Sequence, residues 1–384
     1  MKIEKCGLLF TDGNWIESKD QASEGIRLIQ TGNIGNGKFL EKENRSKYIS
    51  EETFLNLKCT EIFAGDILIS RLPEPVGRAC IIPEKEERMI TAVDCSILRV
   101  DENVVDKKYL LHFLKSPVYF QALAGKLAGT TRVRVSRKNL GLVDIKIPDR
   151  YTQEKVGNIL DCLEVIIDKR KSQIELLDSL VKSRFVDVFG DPISNPFGWS
   201  EDNLSNIGVL GRGVSKHRPR NAPELLGGMY PLIQTGDVSN ADLYIDDFTS
   251  TYSELGLKQS KMWSKGTLCI TIAANIAKTS ILNFDSCFPD SVVGFDPSDR
   301  TNNIFMHYWF SFFQQMLESQ APESAQKNIN LRILSGLKVI VPPIDIQEGF
   351  ADFVQRVDKL KLEVRRSLDE TQVLFDSLMQ QYFE

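Results

Sequence analysis

A chain of 384 residues with 47 Lys+Arg against 52 Asp+Glu, a net charge of −5 and 42% hydrophobic residues has the make-up of a globular protein with room for two or three domains. No run approaches the roughly 18 apolar residues of a membrane span. The opening offers only Gly7-Leu8-Leu9-Phe10 with no cleavage pattern, so neither a membrane segment nor a secretory signal is expected. The cysteines (6, 59, 80, 95, 162, 269, 287) are odd in number and unclustered, and the histidines (112, 217, 307) lie far apart, which points to reduced thiols in a cytoplasmic setting, with no metal and no cofactor.

In chain order, Ile29-Gln30-Thr31-Gly32 reads as a turn, and Gly32 to Lys38 has the spacing of a phosphate loop up to its lysine. Phe39 then stands where Ser or Thr would hold magnesium, so nucleotide binding is not expected. Asp66-Ile67-Leu68-Ile69, Ala79-Cys80-Ile81-Ile82 and Val143-Asp144-Ile145-Lys146-Ile147 read as strands, and 106–123 as a helix interrupted at Pro117. From Tyr151 to about Phe189, apolar residues recur in steps of three and four, the pattern of an amphipathic helix roughly 55 Å long. Gly190-Asp191-Pro192 ends it. A second globular stretch follows, with an aromatic helix over 303–317, and the tail from Phe350 to Leu378 repeats the long stripe.

The second half echoes the first. Ile233-Gln234-Thr235-Gly236 repeats the turn, Gly266-Thr267-Leu268-Cys269-Ile270 repeats Gly65-Asp66-Ile67-Leu68-Ile69, and Val341-Pro342 with Gln347-Glu348 repeats Ile147-Pro148 with Gln153-Glu154. Asp178-Ser179-Leu180 returns as Asp376-Ser377-Leu378. Matches in one order with drifting offsets indicate duplication followed by loop change. The division expected is 1–150 for a first domain, 151–190 for a spacer helix, 191–344 for a second domain and 345–384 for a second helix. Two long helices at equivalent places would bury their stripes against each other as an antiparallel pair. The fold class is then α+β, with two mixed domains and a coiled-coil-like pair.

Catalytic patterns are missing. Pro148-Asp149 and Glu154-Lys155 lack the separation that a nuclease metal site needs. Asn195-Pro196-Phe197 lacks the second proline of an amino-methyltransferase loop, and there is no Gly-x-Ser-x-Gly elbow. A binder is expected, not an enzyme. Charge distribution agrees. The two helical segments hold 11 basic and 16 acidic residues, the whole of the excess, leaving the globular copies neutral. Within those copies, 125–150 carries seven basic residues against Asp144 and Asp149, and 203–223 carries Arg212, Lys216, Arg218 and Arg220 with no acid. Basic side chains clustered among Gly, Ser, Thr and Asn are the footprint of phosphate contact with base reading.

With these pieces in order, the chain resembles the DNA specificity subunit of type I restriction-modification systems. The resemblance rests on the paired Ile-Gln-Thr-Gly turns, Gly-Asp-Ile-Leu-Ile-Ser-Arg at 65–71, Tyr230-Pro231-Leu232, the Pro and Gln-Glu pairs before each long helix, and the endings in Asp-Ser-Leu. It implies two target-recognition domains, each reading half of a bipartite site in double-stranded DNA, and helices that dock methyltransferase subunits, which recruit a motor-nuclease subunit. It implies no catalysis by this chain itself. The residues expected on DNA are Arg71, Arg78, Arg132, Arg134, Arg137 and Lys138 in the first domain. In the second they are Arg212, Lys216, Arg218, Arg220, Lys278, Gln326, Lys327 and Asn328. The helix seam and docking face are expected at Leu163, Ile167, Leu177, Leu180, Val357, Leu360, Val364 and Leu378. Thr130 to Arg134 stands against Ser324 to Asn328, Arg against Gln and Asn, so the half-sites should differ. Two alternatives stay open: the same subunit in a single-complex restriction-methylation enzyme, and a scaffold that binds only proteins.

Overall fold

The computed structural model describes residues 1–129, 133–217, 219–273, 276–320 and 329–384. Its contacts divide into two compact units, 1–171 with 365–384 and 172–364. Each unit takes in half of each long helix.

In unit 1 the strands are β1 (Gly7–Asp12), β2 (Ile26–Ile29), β3 (Tyr48–Ile49), β4 (Glu61–Ile62), β5 (Ile67–Ser70), β6 (Ala79–Ile81), β7 (Met89–Thr91) and β8 (Cys95–Val100). They form two four-stranded sheets, β1-β8-β5-β6 and β3-β2-β7-β4. Every residue of β5 is buried, as the unbroken Ile-Leu-Ile run requires. Helices α1 (Glu51–Asn56), α2 (Lys107–Phe113), α3 (Pro117–Ala124) and α4 (Arg137–Gly141) follow. Each starts on a side-chain cap: Ser50, Asp106, Ser116 and Ser136 accept from backbone N–H groups of the first turn. The interruption expected at Pro117 is real, with proline opening α3. The strand expected over Val143–Ile147 is not a strand. Only Asp144 bridges, to Lys2, because the segment alongside turns into a 3-10 helix over Ile3–Lys5 and leaves no extended partner for a ladder.

The long helix α5 (Arg150–Phe189) carries the chain into unit 2. There β9 (Glu201–Asn203), β10 (Gly208–Arg212), β11 (Leu226–Leu232), α6 (Thr235–Asn240), β12 (Tyr244–Ile245), β13 (Ser250–Tyr252), α7 (Glu254–Lys258) and β14 (Met262–Trp263) precede β15 (Leu268–Thr271), β16 (Thr279–Leu282), β17 (Ser286–Cys287) and β18 (Val292–Pro297). Then come α8 (Asn303–Gln320), α9 (Leu331–Ser335), β19 (Lys338–Ile340) and α10 (Ile344–Phe383). The sheet β10-β18-β15-β16-β12 matches β1-β8-β5-β6 with one strand added, and β13-β11-β17-β14 matches the second sheet. Here the strand before the long helix does form: β19 pairs with β9.

Within each unit the halves of α5 and α10 run antiparallel. In unit 1, Leu160 shares a core with Met379 and Phe383, and Arg170 reaches Ser367. In unit 2, Lys361 meets Asp178, and Phe350 lies 5.5 Å from Phe185, ring to ring. The aromatic stripe of α8 is core: Phe305, Trp309, Phe310 and Phe313 are buried against Phe185 and Phe189 of α5. Among the described residues, no helix is long and apolar enough to cross a membrane.

Candidate nucleic-acid interface

In unit 1, backbone bonds bring the basic segment 134–138 beside Arg71. Val135 donates to the Arg71 carbonyl at 3.2 Å, and Arg134 and Ala128 exchange two N–H···O bonds of 2.9 Å. Asp12, at the end of β1, is the hub. It takes Arg71 Nη1 at 2.7 Å, lies 3.6 Å from Arg137 Nε and accepts from Ser96 Oγ at 2.8 Å. Arg137 also donates to the Phe10 carbonyl at 2.8 Å. Arg134 and Lys138 are exposed beside this hub, whereas the Arg71 side chain is only 14% exposed. Arg71 is thus mainly internal, while Arg134, Arg137 and Lys138 present charge outward. Arg132 lies outside the described residues.

Arg78 requires a correction as a DNA contact. It is buried, and its guanidinium donates to four carbonyls: Ile34 at 2.6 Å, Thr31 at 2.8 Å, Leu72 at 2.9 Å and Pro75 at 3.2 Å. All its nitrogens are used in clamping the Ile-Gln-Thr-Gly turn to the β5–β6 loop. Burial pulls its pKa below the usual arginine range.

In unit 2, the loop after β10 lies on the end of α7. Lys216 and His217 donate backbone N–H groups to Gln259 Oε1 at 2.7 and 3.0 Å, and Ser260 Oγ donates to the Val214 carbonyl at 2.8 Å. Arg212 donates to the Asp290 carbonyl at 2.5 Å, and Arg220 pairs with the Asp290 carboxylate. These bonds gather Arg212, Lys216 and Arg220 with two lysines that sequence reasoning passed over, Lys258 and Lys261. Both are exposed, and Lys261 Nζ stands 3.6 Å from the centre of the Trp263 ring. Lysines at 258, 261 and 265 around a tryptophan were the available signal. Lys278 sits apart from this cluster, exposed after the β15 turn, with its N–H on Thr271 Oγ1 at 3.1 Å. Arg218, Gln326, Lys327 and Asn328 lie outside the described residues.

Equivalent positions in the two units are fixed by matching backbone bonds. Gly13 donates to Cys95 and Gly213 to Val292, both at 2.9 Å, so Asp12 and Arg212 hold the same place with opposite charge. Arg71 donates to Asp94 and Ile272 to Ser291, which sets Arg71 against Ile272.

Along the helices, Ile167 and Val357 are buried, and Leu163, Leu177, Val364 and Leu378 are partly covered. Leu180 and Leu360 are not in the seam, being 48% and 51% exposed. The covered place falls one residue later in each helix, at Val181 and Lys361, about 100° further round. Leu374, the counterpart of Leu180, is equally exposed at 49%. In unit 1, α2 is joined to α5 by polar bonds. His112 Nε2 is 2.8 Å from Asp161 Oδ1, Lys108 is 2.8 Å from the other oxygen, and Lys115 pairs with Glu164. Burial lowers the His112 pKa. His112, Asp161 and Glu164 converge as metal ligands would, but both carboxylates already carry a lysine. The cluster is a domain-to-helix junction.

Comparison with known proteins gives this arrangement a family. The model of the type I restriction-modification DNA specificity domain matches twice, at residues 9–176 and 198–370. The EcoBI specificity subunit of Escherichia coli is 22% identical over 320 residues, covering 74% of this chain and 67% of its own. The HindI specificity subunit of Haemophilus influenzae is 20% identical, covering 85% and 86%. The crystal structure of the type I S subunit from M. genitalium superposes with a TM-score of 0.62 at 15% identity, over 100% of this chain and 95% of that one. Two matches of a specificity-domain model, spanning most of the chain on two like-folded units, make this protein a member of the type I restriction-modification specificity-subunit family.

Proposed function

We propose that unit 1 reads one half of a bipartite DNA site through Arg134, Arg137, Lys138 and the neighbouring segment, and unit 2 reads the other through Arg212, Lys216, Arg220, Lys258 and Lys261. The target is asymmetric. The observation that carries this reading is the charge inversion between equivalent positions, Asp12 against Arg212, with Arg71 against Ile272 beside it. Two faces built on one scaffold but carrying an acid in one and a base in the other at the same place would favour different half-sites. Residues 1–150 and 191–344 act as the recognition domains, and the helices dock methyltransferase subunits, which bring in the motor-nuclease subunit. Exposed leucines at one helical position in both repeats, Leu180 and Leu374, support the docking role. The chain contributes recognition and leaves catalysis to its partners.

Methylation mapping of a genome expressing this subunit with its methyltransferase tests the reading. The expected product is two different half-sites about 10 base pairs apart centre to centre, leaving an unread gap of about six. A palindromic or gapless site would overturn it.

A further inference from the structure

The long helices α5 and α10 are both 40 residues, displaced by 194, so every position in one has a counterpart in the other. Their apolar contacts repeat: Val156 and Phe350, Leu160 and Val354, Phe185 and Met379, and Phe189 and Phe383 are buried pairs of counterparts. The polar contacts do not repeat. In unit 1, half-buried Arg170 of α5 donates Nη1 to the Ser367 carbonyl and to the Thr371 hydroxyl of α10. The counterparts in unit 2 are Val364 and Leu177, which offer neither donor nor acceptor side chain. In unit 2, Lys361 of α10 is 7% exposed and places Nζ 2.5 Å from Asp178 of α5, with Asp242 of the domain 3.5 Å away. Its counterparts in unit 1 are Ile167, buried to 6%, and Gln372.

We infer that these two polar pairs are pairing keys: they make α5 accept α10 and reject a second copy of itself. If α5 met another α5 in the same antiparallel register, Arg170 would face Leu177 where it now finds Thr371, and Ile167 would be laid against the Asp178 carboxylate. If α10 met another α10, buried Lys361 would face the neutral Gln372 and lose Asp178, its nearer carboxylate, keeping only Asp242 at 3.5 Å. A buried ammonium deprived of its nearer carboxylate is the costlier error, and a hydroxyl taken from a guanidinium adds to it. The apolar seam alone discriminates like from unlike helices less sharply, because the same positions are buried in both units. Polar residues at single seam positions are the usual means of fixing partner and register at some expense of stability. The keys hold two different domains on one chain. The inference rests on helix geometry alone and stands whether or not the half-site reading does.

The test exchanges the keys in the intact chain. One variant gives α5 the residues of α10: Ile167→Lys, Arg170→Val, Leu177→Thr and Asp178→Gln. Another gives α10 those of α5: Lys361→Ile, Val364→Arg, Thr371→Leu and Gln372→Asp. A third carries both sets. Urea unfolding and size-exclusion chromatography are run on all three and on the parent. Each one-sided set is expected to lower the unfolding midpoint by at least about 1 M or to yield unfolded or aggregated chain. The double set is expected to recover at least half of that loss and elute with the parent. Additive loss in the double set, or a one-sided set as stable as the parent, overturns the inference.

Discussion

After the buried central strand of each unit, the chain returns with the same bond: Ser70 donates to the Arg78 carbonyl in unit 1, and Thr271 to the Lys278 carbonyl in unit 2, both at 2.9 Å. The side chains at the return point then part company. Arg78 turns inward and holds four carbonyls, including that of Thr31 in the Ile-Gln-Thr-Gly turn. Lys278 turns outward and is exposed. Both turns share a cap, Gln30 donating its N–H to Asn33 at 3.0 Å and Gln234 to Asp237 at 2.7 Å, but in unit 2 it is Ser280 Oγ that ties the segment after the turn to the sheet, donating to the Val238 carbonyl at 2.9 Å. The comparison teaches that backbone bonds preserve the duplicated scaffold, while side chains at equivalent places are free to serve fold in one unit and surface in the other. A charged residue's role in one copy therefore does not transfer to its counterpart.

The sharpest way to break this comparison is in the helix seam. Ile167→Asp puts an uncompensated carboxylate at a buried position and should cost roughly 3–5 kcal/mol, while Leu180→Asp, half exposed, should leave folding within about 0.5 kcal/mol. Leu180→Asp should instead weaken assembly with the methyltransferase, measured by co-purification. Equal stability of the two variants would remove the distinction between seam and docking face. Next in size is the clamp. Arg78→Ala leaves four carbonyls short of a donor, two of them in fully buried bonds, and should cost about 3 kcal/mol in urea unfolding; Lys278→Ala should cost less than about 0.5 kcal/mol. Similar losses at both would mean that the two loops share one design after all.

Much of the fold was legible because it is periodic. Duplication, the long helices, the break at Pro117 and the aromatic face of α8 all follow from spacing, and spacing survives in a single sequence. The strand expected at 143–147 but not formed shows the limit, since a ladder depends on whether an extended partner lies alongside, and the segment beside Val143 turns into a 3-10 helix at Ile3. Burial of Arg78 was illegible for a related reason. Nothing local to Gly77-Arg78 tells that the turn at Thr31 stands opposite with free carbonyls. Leu180 and Leu360 were misplaced by phase: over 40 residues a stripe drifts, and the next residue in each helix, Val181 and Lys361, takes the covered place. Lys258 and Lys261 join the basic loop through Gln259 and Ser260, bonds between segments about 40 residues apart in the chain.

The proposed reading faces give a smaller and more selective effect. Alanine at Arg134, Arg137 and Lys138 should relax or weaken the first half-site only; alanine at Arg212, Lys216 and Arg220 should act on the second only. Each base-reading side chain removed is worth about 1–3 kcal/mol against the wrong base, whereas removing a side chain that touches only phosphate weakens all sequences alike and flattens the salt slope by about 0.9. Methylation mapping with binding at two salt concentrations separates the cases. A change in both half-sites from either triple variant would dissolve the assignment of one face to one unit.

The last expected effect concerns pH and again divides the units. His307 of α8 is packed in unit 2 with Nδ1 3.1 Å from Thr279 Oγ1, and burial lowers its pKa from the ordinary 6.5 to about 4. Nearby Asp242 works to raise it and Lys361 to lower it further, but burial dominates. His112 in unit 1 is also lowered, chiefly by burial and then by Lys115, but the bond to Asp161 opposes this. The folded protein thus binds fewer protons than the unfolded chain below the ordinary histidine value. Stability should be unaffected by these groups above about pH 6.5 and should fall as pH drops from there towards about 4, where the buried ring of His307 is finally forced to charge. His307→Asn should flatten that part of the profile. His112→Asn should flatten it less, because the Asp161 carboxylate already offsets part of the penalty for the charged ring. Urea midpoints of the parent and both variants between about pH 7 and 4.5 measure the difference, and a parent profile that is flat across this window would show that neither ring is held neutral by the fold.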